Sequence, residues 1–274
     1  MKIGIYPNWA RPGVGLKPRM DSQRHLLPQH SRHCPVLTAA NSLGYLAYPP
    51  LEANEAFQVH YHGEGIYSFH FFTRNDKGDW ATLFTVTMRL PVGSIGAISE
   101  DVEFGTTRPP ISADGAKNIM RAFIVPEDLG TPQGAITLRG AWNFRTPEGW
   151  DSVYLPVLNM IERPLAPMLS VRVETDWYPH DSEFRYVLQA GEGLPGSRHL
   201  PIGQVHFVPR QELELRDLTS EEISELRNEK RDFLAEKAQL RRSTPQGLEF
   251  SPLYARRSRL KNQDSGEDEE SDAP

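Results

Sequence analysis

Between residues 55 and 208 apolar and polar positions alternate with period two instead of recurring at helical spacing. In EAFQVHYH (55–62), Phe57, Val59 and Tyr61 fall on one side of an extended chain, and Gln58, His60 and His62 on the other. The same texture recurs in YSFHFF (67–72), WATLFTVTMRL (80–90), NIMRAFIV (118–125) and GAITLRGAWNF (134–144). It continues in LSVRVETDW (169–177), EFRYVLQ (183–189) and GQVHFV (203–208). Each run is rich in β-branched and aromatic side chains and is bounded by Gly, Pro, Asn or Asp. No helical run of crossover length is visible between them, so parallel βαβ units are not expected and the strands should pair antiparallel. The expected fold is all-β: an antiparallel β-sandwich of jelly-roll or Greek-key type over residues 34–216.

The flanks read differently. Residues 1–33 carry Pro7, Pro12, Pro18 and Pro28, which predict an extended arm, with Tyr6, Trp9, Leu26 and Leu27 available to dock it. Residues 217–243 open with Thr219 and Glu222 at capping-box spacing and continue without Gly or Pro, which predicts a charged helix. Glu221, Glu225, Glu229, Asp232 and Glu236 form one acidic stripe on it. Ile223, Leu226, Phe233 and Leu234 mix with Lys230, Lys237 and Arg241 on the other side. That mixed side predicts packing on the sandwich or self-association through 218–243. Residues 244–274 end in NQDSGEDEESDAP and read as a disordered, solvated acidic tail.

Composition narrows the function classes. Thirty basic and 36 acidic residues give a net charge of −6, which disfavours general binding to phosphate backbones. The N-terminus lacks the apolar run of a signal peptide, and no stretch approaches the roughly 18 apolar residues of a membrane span, so a soluble chain is expected, with no membrane partner. Cys34 is the one cysteine and cannot close an internal disulfide, which suits a reducing cytoplasm. It has no evident base or orienting group, and it reads as a small core side chain and not as a nucleophile.

Two constellations carry candidate chemistry. His60 and His62, two apart on a strand, place their imidazoles on one face with Cα atoms roughly 6.5 Å apart, within reach of a single ion. His70, Glu64, Glu174 or Asp176 would supply a third ligand; the metal set taken forward is His60, His62 and His70. The pair resembles the histidine pair of cupin metal sites, which implies a divalent metal such as iron and oxygenase chemistry. The second constellation is a polar face. Arg139, Asn143 and Arg145 lie opposite Ile136, Leu138, Trp142 and Phe144, while Arg172, Glu174 and Asp176 lie opposite Val171, Val173 and Trp177. If those two segments pair, guanidinium forks stand beside carboxylates and form a face for a small polar or anionic ligand or for a protein.

The stretches CPVLTAANSLGY (34–45), LRGAWNFRTPEGW (138–150), VETDWYP (173–179) and AGE (190–192) resemble a family of uncharacterised, mostly bacterial and phage-associated proteins known only as a domain of unknown function. The resemblance implies a shared core architecture from Cys34 to about Glu192 and names no activity. The expectation is therefore a binding protein working through the Arg/carboxylate face. A cupin-like metal-dependent oxygenase and a phage structural or accessory protein are the alternatives.

Overall fold

The structure is a computed structural model that describes residues 2–22, 27–29, 31–32, 34–75, 77–90, 99–106, 110–160, 165–243, 247 and 249–267. The chain divides into two compact units, Met1–Leu27 with Ala39–Gln211, and Pro28–Thr38 with Glu212–Pro274. In chain order the first elements are β1 (Gly4–Pro7), α1 (Pro35–Asn41), β2 (Tyr45–Ala47), β3 (Glu55–Gly63), β4 (Ile66–Arg74), β5 (Trp80–Arg89) and β6 (Ser99–Phe104). They are followed by α2 (Ala113–Phe123), β7 (Ala135–Arg139), β8 (Trp142–Arg145), β9 (Trp150–Leu155), β10 (Met168–Leu169) and β11 (Val171–Val173). Three more strands complete the first unit: β12 (Glu183–Val187), β13 (Gly193–Ser197) and β14 (Gly203–Pro209).

The unit is mostly β, in several antiparallel sheets with orders β13-β3-β4-β5-β6, β11-β9-β14-β2, β10-β12-β7 and β1-β8. The alternation read from the sequence sets the faces of the largest sheet. Phe57 and Val59, Tyr67, Phe69 and Phe71, and Phe84, Val86 and Met88 are all buried on one side. A helix packs against that side. The Phe123 ring of α2 lies 5.2 Å from Phe57, 5.8 Å from Phe69 and 5.8 Å from Phe71, and Ala116 and Met120 are buried on the same helix. The expected strand over NIMRAFIV is thus corrected. Residues 118–123 are the second half of α2, which Ser112 caps by accepting from Gly115 N. The spacing 116, 120, 123 is one face of a helix, and an alternating strand would have turned Met120 away from Phe123.

Other expected strands divide where the backbone finds partners outside a ladder. GAITLRGAWNF breaks between β7 and β8, because Gly140 N donates to Ser182 O and Ala141 N donates to Tyr48 O, both at 2.8 Å. LSVRVETDW gives β10 and β11 and then a turn in which Tyr178 N donates to Glu174 O. The condition that the two segments pair is not met: β7 pairs with β12, β8 with β1, and β11 with β9. GEGLPG (191–196), whose glycines and proline are turn formers, supplies most of the edge strand β13. Its register sets Gly193 opposite His60 and Gly196 opposite Phe57. A Cβ there would come within 2.6 Å of His60 Nδ1 and 2.1 Å of Phe57 Cε1, so glycine lets those rings fold across the strand.

The described residues of the N-terminal arm up to Leu27 lie in this unit, as the sequence allows. Asn8 is buried and its amide donates to Gly140 O at 3.0 Å and to Ala122 O at 3.5 Å. Arg11 forms a two-pronged pair with Glu55 at 2.7 and 2.8 Å, and its guanidinium sits 5.4 Å from the Phe123 ring. Leu27 is buried and Leu26 lies outside the described residues, whereas Trp9 remains 76% exposed.

In the second unit, α3 (Ser220–Gln239) begins where the capping box predicts: Thr219 accepts from Glu222 N, and Glu222 accepts from Thr219 N. Arg216 grips the Glu222 carboxylate at 2.7 and 3.0 Å. That guanidinium, helped by the Thr219 N–H, holds the carboxyl down at about 2. A short hairpin follows, β15 (Arg242–Ser243) with β16 (Glu249–Phe250), and then α4 (Leu253–Glu267). The segment expected to be a solvated tail is therefore helical over much of its length. LYARRSRLK carries no Gly or Pro, and Arg257 lies 5.2 Å from the Phe233 ring while pairing with Glu236. Residues 268–274, most of the acidic run, lie outside the described residues. Among the described residues no helix is long and apolar enough to cross a membrane.

Phe123→Ala removes the ring that joins α2 to three phenylalanines on β3 and β4. It should cost about 3–5 kcal/mol in urea unfolding of the full chain, and Phe123→Leu clearly less.

Candidate functional site

Asp151, on β9, is the centre of one polar network. It is 2% exposed and accepts from Arg210 Nη2 at 2.6 Å, from Arg210 Nε at 3.0 Å and from Arg172 Nε at 2.5 Å. Arg210 also donates to Asp176 at 2.7 Å and lies 3.6 Å from Glu174. Gly149 N donates to the other Asp176 oxygen at 2.9 Å. Between the two acids Thr175 turns inward, its hydroxyl 2.9 Å from that of Thr146 and 2.7 Å from that of Ser152. Burial pushes the Asp151 carboxyl up, but the Arg210 and Arg172 guanidiniums outweigh it and hold it below the ordinary carboxylate range. For Asp176 the Arg210 hydrogen bond is the main cause of a downward shift, with burial opposing and Gly149 N–H assisting. Three carboxylates face two guanidiniums here, so the arginines are already matched and the surplus is negative.

A second network forms around Arg139. Its Nη1 donates to Arg121 O at 2.8 Å, and its Nε lies 3.7 Å from both Asp181 and Glu183. Asn143, fully buried, donates to Asp181 at 2.8 Å and accepts from Ser182 N at 2.8 Å, which fixes the loop before β12. Burial pushes the Glu183 carboxyl up against the opposing pull of His180 and Arg139.

The six residues expected to share one face are thus divided. Arg172, Glu174 and Asp176 meet in the first network, and Arg139 and Asn143 meet in the second. Arg145 is exposed on β8 opposite Gly4. The division follows from the strand partners, because β11 ladders with β9, β7 with β12 and β8 with β1, in three different sheets. Sequence reasoning missed Asp151 and Arg210. Asp151 lies in WDSVYL, a run of strand character within an unassigned stretch, and Arg210 directly follows the expected strand GQVHFV.

Beside these networks the surface carries a row of rings. Trp177 and Tyr178 are 5.7 Å apart and Tyr178 and His180 are 5.3 Å apart. Tyr6 donates to His180 O at 3.2 Å and lies 5.8 Å from Trp9. Trp177 is 62% and Tyr178 46% exposed, and the Trp177 indole N–H donates to Glu174.

The histidines do come together, on the outward face of the largest sheet. The His60 ring is 5.6 Å from His70 and 6.2 Å from His62. Two of them are engaged with hydroxyls: His62 Nε2 with Ser68 at 2.8 Å, His70 Nε2 with Ser68 at 2.9 Å, and His70 Nδ1 with Thr85 at 2.9 Å. Glu64 lies in the β3–β4 turn, and Glu174 and Asp176 belong to the Arg210 network. Among the described residues no group of three or more His, Cys, Asp or Glu side chains is disposed to hold a metal ion; of the expected His60, His62 and His70 set, His62 and His70 are joined through Ser68 and His60 lies beside them. Cys34 is half-buried just before α1, where its carbonyl accepts from Thr38, and is therefore neither in a strand nor fully in the core. His33 lies outside the described residues.

No family model, no curated protein and no solved structure matches this chain.

Burial, and secondarily the neighbouring imidazoles, lower the pKa of His60 and His70. The unfolded imidazoles therefore take up protons first, and stability should fall as pH drops from about 7 to about 5. The double variant His60→Gln, His70→Gln should flatten that fall, read from urea midpoints across the range. Arg210→Met should destabilise the chain near neutral pH. The deficit should narrow below about pH 4, where unfolded aspartates take up protons, and close as pH falls through the depressed native pKa values of Asp151 and Asp176.

Proposed function

We propose that this chain is a binding protein whose contact surface is the Arg/carboxylate face built on β9, β11 and the segment after β14, and that it engages a protein partner. The observation that carries the proposal is the Asp151–Arg210–Asp176 network. A buried carboxylate holds two arginines in place and leaves Glu174, half-exposed, beside the exposed Trp177. Aromatic and arginine side chains held rigid at a surface are what protein interfaces use as anchors. A small ligand finds less support. One cleft of about 530 Å³ is bordered by Tyr61, Glu64 and Gln133, and another of about 610 Å³ by Val157, Met160 and Tyr186. Neither includes Arg172, Glu174 or Asp176. The oxygenase alternative would have to draw His70 away from the Ser68 and Thr85 hydroxyls that engage both its nitrogens.

The frame for this face is read as a β-sandwich of jelly-roll or Greek-key type. Its support is a single apolar cluster that draws Val59 and Phe69 from the largest sheet, Tyr154 and Val205 from the four-stranded sheet, and Ile136 and Tyr186 from the three-stranded sheet. A cytoplasmic setting accords with a lone thiol at Cys34. The resemblance to the domain of unknown function belongs to the same proposal and concerns architecture alone.

A photo-crosslinking amino acid at Glu148, exposed in the turn that donates to Asp176, should yield a discrete heavier adduct when expressed in the native cell. The same group at Lys77, on the β4–β5 hairpin, should not. Identical patterns at both positions, or none at either, would remove the proposal.

A further inference from the structure

The row of rings beside the Arg/carboxylate face has a composition that selects a ligand. Trp9, Trp177 and Tyr178 are exposed by 76%, 62% and 46%, and Tyr6 and His180 connect them through contacts of 5.8, 3.2 and 5.3 Å. Carboxylates lie along it. Glu174 holds the Trp177 indole N–H, while Asp181 and Glu183 flank His180 beside Arg139, and Arg145 acts on Tyr6 from β8. An N–H bound to an anion leaves more negative charge on the ring face, which strengthens attraction for a cation.

The chain shows how it uses such rings elsewhere. Arg11 sits over Phe123, Lys17 over Trp142, Arg19 over Tyr48, Arg74 over Trp80 and Arg257 over Phe233, at 4.9 to 5.7 Å. Arg11 adds a two-pronged pair with Glu55, and Arg257 pairs with Glu236, so ring and carboxylate act together as a receptor for one cation. Among the described residues no cation lies over Trp177, Tyr178 or Trp9. Stacked nucleobases would also suit the rings, but the bordering carboxylates and the net charge of −6 repel their phosphates.

We infer that this row is the docking surface for an arginine- or lysine-bearing segment of a partner protein, with a cationic side chain seated on Trp177 against Glu174. The inference rests on the binding role proposed above and names the chemistry of its partner. It places the partner's cation on the same pairing of ring and carboxylate that Arg11 finds at Phe123 and Glu55.

Calorimetric titration of the full chain with acetyl-Gly-Arg-Gly-Arg-Gly amide tests it. The peptide should bind weakly and lose affinity with added salt. Its citrulline counterpart, the same shape without charge, should not bind. Trp177→Ala should weaken binding by about threefold to tenfold, and Glu174→Gln should weaken it measurably. Equal binding of the citrulline peptide would overturn the inference, as would unchanged affinity in Trp177→Ala or silence of the arginine peptide at about millimolar concentration. Adducts at Glu148 together with a silent arginine peptide would leave the binding face standing and remove this inference alone.

Discussion

The packing of Phe123 against Phe57, Phe69 and Phe71 is the contact on which the remaining geometry rests. It fixes the C-terminal end of α2, and the carbonyls there become acceptors for two distant parts of the chain. Arg121 O receives Arg139 from β7, and Ala122 O receives Asn8 from the arm. Arg11 then closes over the same ring while gripping Glu55. One apolar contact thus sets the register of the arm on β8, and through it the position of Tyr6 against the His180 loop. The polar surface inherits its order from the core.

Much of the fold was legible because the sheet faces are chemically unequal. In 55–62 and 67–72 every second residue is a large apolar side chain, and slipping the register by one would bury Gln58, His60 and His70. The same logic hid α2. NIMRAFIV is dense in β-branched and apolar residues, and its helical face shows only when Ala116 and the Ser112 cap are read with it. It also hid β13, where the glycines and Pro195 that signal a turn serve an edge strand covered by the rings of its neighbour.

The candidate face was legible residue by residue but not as an assembly. Glu174 and Asp176 flank buried Thr175 in the turn after β11, where Glu174 is half-exposed and Asp176 is drawn in by Arg210. Which strands stand beside which is a matter of long-range pairing, and local pattern carries little of it. Asp151 illustrates the gap. An inward-facing acid in a strand is costly unless guanidiniums meet it, and those come from Arg172 and from Arg210, 59 positions along the chain. Glu183, pushed up by burial against the pull of nearby His180 and of Arg139, shows the same dependence on a guanidinium remote in sequence.

The composition of the two outer strands of the largest sheet has a consequence for solubility at high concentration. A sheet with bare margins invites other copies to add strands and grow into fibres. Here one margin is β13, where Pro195 has no N–H to offer, and the other is β6, where Asp101 and Glu103 set like charges against any approaching duplicate. The glycines that make room for His60 and Phe57 therefore lie on a border already closed to templated polymerisation.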